Sequence, residues 1–280
     1  MRSLYKVATA FLINSYMVAS SYLFFENTSP NSVTQNFPSS TAALQSEPTQ
    51  TSSFWDVSDI DISFVSRKRK LIALTFDDAP TSTLDPILKV FLDFNVSHSD
   101  APASATVFCN GKNIKPSTQA SLQTAITIGF ELGNHTQHHY NLVCLSPAEI
   151  QAEIQQTDAA LKRFDGKPTH LLRTPYGNLN DAIREAASTP IISWFIDTLD
   201  WTGRSADEIY QAVWESKFSG CIVLMHDGYP NTIDALHRLL PDLYADGYQV
   251  VSVSALSKAN ACPLKRGKVY IRARKNGSSH

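Results

Sequence analysis

Leu71-Ile72-Ala73-Leu74-Thr75-Phe76-Asp77-Asp78, residues 71–78, is an apolar strand-like run that ends in two consecutive carboxylates. Outward from it, further strand-like runs occur at 105–110, 130–133, 171–174, 191–196, 221–225 and 249–253. Amphipathic helical patterns fill most of the gaps, at 84–94, 117–128, 148–164, 181–187, 207–218 and 233–244. Ser146 with Glu149, and Ser205 with Glu208, have capping-box spacing and mark two helix starts. Strands alternating with helices predict an α/β fold around a parallel sheet, either a closed barrel or an open doubly wound sheet.

The polar residues decide between the two. Asp77 and Asp78, His135 and His139, Arg173, Asp197 with Asp200, and His226 all follow the C-terminal ends of successive strand-like runs. In a parallel barrel those ends converge on one mouth, where catalytic groups gather. A (β/α) barrel is therefore the expected architecture. Taken singly each residue has a plainer reading: an Asp after a strand is often a helix cap, and a lone His is usually structural. Five such groups in order would need five separate explanations.

With 280 residues, 43% hydrophobic and 18% charged, the chain can bury one full-sized core. A net charge of -2 gives no general attraction to phosphate backbones, which argues against nucleic acid as a partner. Arg2 and Lys6 precede an uncharged run at 7–25 that ends near Ala19, Ser20 and Ser21. This predicts an export signal or signal anchor over 1–26. Asn14, Ser15 and Tyr16 interrupt it, which weakens it as a permanent span needing about 20 mostly apolar residues. A stretch rich in Ser, Thr, Gln, Asn and Pro follows, so 27–66 is expected as a flexible linker, 67–262 as the folded domain and 263–280 as a basic tail. The expected location is extracellular, secreted or anchored to the outer face of the cell membrane, and the expected state is a monomer. Cys109, Cys144, Cys221 and Cys262 allow three disulfide pairings; Cys109 and Cys221, inside strand-like runs, read equally well as small buried hydrophobes.

The carboxylate pair and the histidines carry the chemistry. A catalytic Zn²⁺ site commonly combines three N/O ligands with one open position. Two imidazoles and one carboxylate meet that count, and the second carboxylate is left to take a proton. If His135 opens a helical turn, His139 at i+4 shares its face, and His138 at i+3 competes for the same role.

Thr75-Phe76-Asp77-Asp78-Ala79-Pro80, His135-Thr136-Gln137-His138-His139, Arg173-Thr174-Pro175-Tyr176-Gly177, Asp197-Thr198-Leu199-Asp200-Trp201 and Leu224-Met225-His226 resemble, in order, the five motifs of the NodB-homology polysaccharide deacetylases, carbohydrate esterase family four. The resemblance covers roughly residues 67–258. It implies a distorted, incomplete seven-stranded (β/α) barrel, in agreement with the seven strand-like runs, and a metal-dependent deacetylase of acetylated sugars. By the same resemblance Asp78, His135 and His139 are metal ligands, with Zn²⁺ or another divalent transition metal such as Co²⁺ expected, and Asp77 is the general base. The family pattern places the second histidine ligand at i+4, which ranks His139 above His138.

Further roles follow from the resemblance. The backbone N–H of Tyr176 is implied as an oxyanion donor, His226 as the acid that protonates the leaving nitrogen, and Asp200 as the partner that keeps His226 charged. Arg173 is implied to orient Asp77, while Trp201, Leu224 and Pro175 are expected to wall a pocket for the acetyl group. Asp197 receives no role, and His98, His170, His237 and His280 are read as structural or solvated.

The chain departs from the family at Ala79, where Gly is usual. If that position required positive φ, its Cβ would cost on the order of 1 kcal/mol. A polar insertion near 97–104 is expected as a surface loop. The motifs do not discriminate among chitin, peptidoglycan and xylan. A domain on an exported stalk suits a cell-wall polymer, so peptidoglycan N-acetylglucosamine is the first expectation, with chitin or chitooligosaccharide, acetylxylan, and a catalytically weakened sugar-binding module as alternatives. Basic clusters at 67–70 and 265–275 are noted as places for anionic wall polymers.

Overall fold

The computed structural model describes residues 53–274. The expected export signal and most of the expected linker lie outside the described residues. β1 (Lys70–Ala79) is the central strand. It pairs in parallel with β2 (Thr106–Cys109) and β6 (Ile222–His226), and through its first residues with β7 (Tyr248–Val250). β3 (Glu131–Asn134) flanks β2, and β5 (Ile196–Asp197) flanks β6. Beyond β3 the sheet continues through single bridges at Leu172 to β4 (Ile191–Ile192), which pairs with β8 (Val269–Tyr270). The helices are α1 (Leu84–Ser97), α2 (Gln119–Thr127), α3 (Pro147–Asp165), α4 (Asp181–Ala186), α5 (Ala206–Ser216), α6 (Pro230–Ala245) and α7 (Val253–Ala259). The result is the distorted, incomplete barrel that the family resemblance implies. Both capping boxes form, at Ser146 with Glu149 and at Ser205 with Glu208.

Strand alternation sorts the core. Ile72, Leu74 and Phe76 pack into the large cluster that also takes buried residues of α1, α5 and α6, while Leu71 and Ala73 belong to a second cluster with Phe108, Ile192 and Ile222. On β6, Val223 and Met225 join the first cluster and Ile222 the second. Because successive side chains point to opposite faces, Thr75 and Asp77 continue the Leu71 face, and Leu224 and His226 continue the Ile222 face. Asp77 and His226 stand opposite each other in register.

The end of the barrel opposite these residues, its floor, is closed by segments the alternation does not reveal. Trp55, Ile60, Ile62, Phe64 and Val65, inside the stretch expected as linker, lay apolar side chains on the second cluster. The Glu131 carboxylate accepts from Thr106 Oγ1 (2.9 Å), from the Ser254 backbone N–H (3.0 Å) and from the Ser254 hydroxyl. Trp55 Nε1 donates to Ser254 Oγ at 3.1 Å. The loop at 97–104 also lies here, joining the end of α1 to the start of β2, so it does not border the mouth. Two basic residues at the start of β1, Arg69 and Lys70, are committed locally. Arg69 donates to the Tyr244 carbonyl at 2.7 Å and stacks over the Tyr244 ring, and Lys70 lies 3.5 Å from Asp246. The expected basic tail contributes β8 before the described residues end.

Two expected strands differ. The run at 171–174 makes only bridges at Leu172, and the run at 191–196 splits into β4 and β5 around Ser193, Trp194 and Phe195. Arg173 is the reason, since its guanidinium takes the carbonyls of Ile192 (3.0 Å) and Ser193 (3.1 Å) that a continuous ladder would use. All four cysteines are free. Cys109 and Cys221 are buried, and burial pushes the Cys221 thiol up to about 11, which fits the reading of both as small hydrophobes. Among the described residues no helix is long and apolar enough to cross a membrane.

Candidate active site

Asp77 reaches the mouth by alternation, but an ordinary strand would turn Asp78 to the other face. The β1–β2 register shifts between Phe76 and Ala79, and Asp78 adopts φ 66°. This bulge re-aims one side chain, and both carboxylates line the same cavity. The left-handed residue is therefore Asp78 and not Ala79, whose φ is ordinary and whose side chain is buried among apolar neighbours. The departure from Gly at Ala79 meets no conformational penalty there.

His135 and His139 do not share a helix face. Residues 135–141 form an irregular loop in which Thr136 (φ 68°) and His139 (φ 62°) are both left-handed, and the Thr136 hydroxyl accepts from the His139 N–H at 3.2 Å. His135 Nδ1 donates to the Arg173 carbonyl at 2.8 Å, which fixes its tautomer and leaves Nε2 facing the cavity. That Nε2 lies 3.8 Å from Asp78 Oδ1 and 3.6 Å from Asp77 Oδ2, and His139 Nε2 lies 3.5 Å from Asp78 Oδ1. One donor atom from each of Asp78, His135 and His139 falls within 4.8 Å of the others. This hard-and-borderline O/N/N set with a clear cavity side fits a divalent transition metal. His138 is turned away: its Nδ1 and backbone N–H both donate to Glu153, at 2.6 and 2.8 Å.

Arg173 is wholly buried, and its Nη1 donates to Asp77 Oδ1 (2.8 Å) and to Thr75 Oγ1 (2.7 Å). Its guanidinium lies over the Phe108 ring at 4.1 Å. Burial pushes the Asp77 carboxyl up, but Arg173, then His135 and His226, outweigh it and hold the carboxyl below its usual range. Removing one partner of such a buried pair typically costs about 3–5 kcal/mol. Asp77 is thus an ionised carboxylate with one oxygen held and the other turned to the cavity.

Across the cavity, His226 Nδ1 lies 2.7 Å from Asp200 Oδ1. Asp200 Oδ2 accepts from the His226 backbone N–H (2.8 Å) and from Thr232 Oγ1 (2.7 Å), so the carboxylate is fixed and the ring follows it. Burial disfavours the charged ring, but the hydrogen bond that the ring donates to Asp200 and the carboxylates of Asp77, Asp200 and Asp78 raise its pKa above the ordinary imidazole value. Asp197 caps the turn at the Leu199 N–H (2.9 Å).

The cavity measures about 410 Å³ and is lined by the two aspartates, His135, His139 and His226, together with Tyr176, Trp201 and Leu224. Tyr176 has φ 60°, and its N–H has no protein acceptor among the described residues. Pro175, expected as a pocket wall, is buried and is not among the residues that line the cavity. Trp194 and Tyr229 line the cavity and were not among the expected residues. Trp194 sits where β4 gives way to β5, and Gly177 (φ 68°) makes room for it, since a Cβ there would meet its ring at 2.9 Å. Asp227 is a third residue that sequence reasoning missed. It accepts from the Thr81 N–H (2.6 Å) and Thr81 Oγ1 (2.7 Å), tying the loop after β1 to that after β6. An Asp after a strand carries no signal that separates such a tie from a cap.

The sequence profile described as polysaccharide deacetylase matches residues 65–190. A peptidoglycan-N-acetylglucosamine deacetylase of Bacillus cereus is 32% identical over 201 residues, 69% of this chain and 90% of that protein. A bifunctional xylanase/deacetylase of Pseudobutyrivibrio xylanivorans is 31% identical over 194 residues, 68% of this chain and 31% of that protein. Among solved structures, the family 4 acetyl xylan esterase from Clostridium thermocellum, a complex with a cobalt ion, aligns with a TM-score of 0.65 at 25% identity over 72% of this chain and 98% of that one. The chain matches 31% and 42% of the length of the first curated relatives found, which are larger proteins.

Proposed function

This chain belongs to the polysaccharide deacetylase family, and from that premise we propose that it is a metal-dependent hydrolase that removes acetyl groups from an N-acetylglucosamine-containing polysaccharide, peptidoglycan first. The observation that carries the proposal is the division of roles at the mouth: three donor atoms converge within 4.8 Å while a fourth group, Asp77, is held ionised beside them by Arg173.

Asp78, His135 and His139 would hold the metal, Zn²⁺ or a similar ion such as Co²⁺. When bound, such an ion acidifies water and polarises a carbonyl oxygen. Asp77 takes the proton from the attacking water as its oxygen bonds to the acetyl carbon. The Tyr176 N–H, directed by its left-handed backbone, donates to the developing oxyanion. His226 delivers a proton to the sugar nitrogen as the C–N bond breaks, since an amine leaves poorly unless protonated, and acetate and a free amine result. Asp200 holds the His226 ring charged and oriented until that step. Leu224 and Trp201 bound the space for the acetyl methyl, and the exposed faces of Tyr176 and Trp201 suit sugar rings.

Peptidoglycan is favoured by the Bacillus cereus relative and by an N-terminal segment that reads as an export signal, which implies action outside the cell membrane. A second reading, acetylated xylan, is supported by the Pseudobutyrivibrio relative and the Clostridium structure. Acetate release from peptidoglycan, N-acetylglucosamine oligomers and acetylxylan, measured with chelator and after Zn²⁺ is restored, separates them. Chelator-sensitive release from peptidoglycan above the other polymers supports the proposal. Release from acetylxylan alone would shift the assignment to an ester substrate, and release from none would make the chain a binding module on the same fold.

A further inference from the structure

A buried histidine outside the mouth has no part in the chemistry above, yet its surroundings lead to the metal ligands. His170 stands between α3 and the Leu172 bridge with its side chain wholly buried. Its Nδ1 lies 2.9 Å from Asp158 Oδ1, and its Nε2 lies 3.2 Å from both oxygens of Asp165. Both ring nitrogens face carboxylate oxygens, which in ionised carboxylates only accept, so the ring carries two protons. In support, the two carboxylates overcome burial and raise the His170 pKa above the ordinary imidazole value.

The same Asp158 Oδ1 accepts from Asn134 Nδ2 at 2.9 Å, and Asn134 Nδ2 also donates to the Ile154 carbonyl at 2.9 Å. Two acceptors on that side dictate which way the Asn134 amide points. Its Oδ1 therefore faces the Thr136 N–H, which it accepts at 2.8 Å. Thr136 is the left-handed residue between the histidines, and its hydroxyl takes the His139 N–H. Asn134 itself directly precedes His135, and the whole relay is buried. If the Asn134 amide turned over, its NH₂ would meet the Thr136 N–H, a donor against a donor, and the turn would lose the bond that holds its unfavourable φ.

We propose that His170, Asp158 and Asn134 form a positioning relay that sets metal affinity, by locking the left-handed turn that aims His135 and His139 at one ion. The inference rests on the metal reading above and goes beyond it, because none of the three residues touches the metal, the substrate or the reacting atoms. Comparable supports behind metal-binding histidines are worth about 10–100-fold in affinity.

The test uses zinc titration by calorimetry and the visible absorption of the Co²⁺-loaded protein, with the melting temperature of the metal-free protein measured alongside. His170→Gln, which cannot donate to both carboxylates from a charged ring, is expected to weaken zinc binding by about 10-fold and to change the cobalt spectrum. Asp165→Asn leaves Asp158 and the ring in place, and is expected to give a smaller loss of affinity in the same direction. It stands as the deciding variant if His170→Gln does not fold. Ser146→Ala removes the cap of α3, the helix that carries Asp158, and is expected to lower the melting temperature with zinc affinity unchanged. Unchanged zinc affinity and cobalt spectrum in folded His170→Gln, or in Asp165→Asn where the first does not fold, would overturn the relay. So would an equal loss of affinity in Ser146→Ala. A wild-type protein that binds no zinc overturns the metal reading itself.

Discussion

The mouth and the floor of this barrel both bury polar groups, but they settle them differently. At the floor Glu131, Thr106, Ser254 and Trp55 satisfy one another on a backbone of ordinary conformation. At the mouth Asp78, Thr136, His139, Tyr176 and Leu199 all have positive φ without being glycine, a state that costs on the order of 1–3 kcal/mol each. Polar atoms there are aimed away from the protein: His135 Nε2 and one Asp77 oxygen into the cavity, and the Tyr176 N–H without a protein acceptor among the described residues. The floor uses its polar groups to close the fold. The mouth draws on stability gained elsewhere to keep its groups available.

The strongest way to break this contrast is to remove one open group at a time. Asp77→Asn is expected to lower kcat/KM for acetate release by at least about 10²-fold while zinc affinity stays within a few-fold. His135→Ala is expected to weaken zinc binding on the order of 10²-fold or more, beyond what an outer support is worth. Equal zinc affinity in the two variants, measured by calorimetry, would remove the division between base and ligand.

A second variant sharpens the acid side. The pKa of His226 is raised, so its proton is present at low pH and lost as pH climbs through that raised value. Asp200→Asn withdraws the hydrogen-bonded carboxylate and lowers this pKa. The alkaline limb of the kcat/KM profile is therefore expected to move to lower pH. The acid limb belongs to Asp77, whose carboxyl is held below its usual range, and it should not move. An alkaline limb that stays in place would assign the acid to another group.

The smallest effect is expected at the floor. Ser254→Ala takes a hydroxyl from the buried Glu131 carboxylate and from Trp55, at a cost of about 1–3 kcal/mol. Each kcal/mol corresponds to a fall of about 2–4 °C in melting temperature for a domain of this size. Activity of the folded fraction should be unchanged. A large loss of activity without a shift in melting would mean that the floor reaches the mouth.

What the sequence reveals of this molecule follows the same division. Groups that end strands were legible, because strand alternation carries Asp77 and His226 inward and leaves them in register. The strained turns were not. The four-residue spacing of His135 and His139 suggests a helix face, whereas two left-handed residues in a loop bring the rings together. Pro175 in its motif reads like its neighbours, and only packing shows it buried and off the cavity wall. The floor was misread because Trp55 to Val65 lie in a polar context, and because a two-residue strand such as β8 has no period to detect. α7 was hidden behind the run at 249–253, although Ser252 caps it by accepting the Ala255 N–H.

Asp77 and Asp78 are the same amino acid in adjacent places, and nothing in their side chains says which should hold a cation and which should move a proton. One dihedral angle, φ 66° at Asp78, swings the second carboxylate around to the side the first already occupies. The address of each group is thus written in the main chain. Reassigning the two jobs would take a re-bent strand and not an exchange of chemical groups.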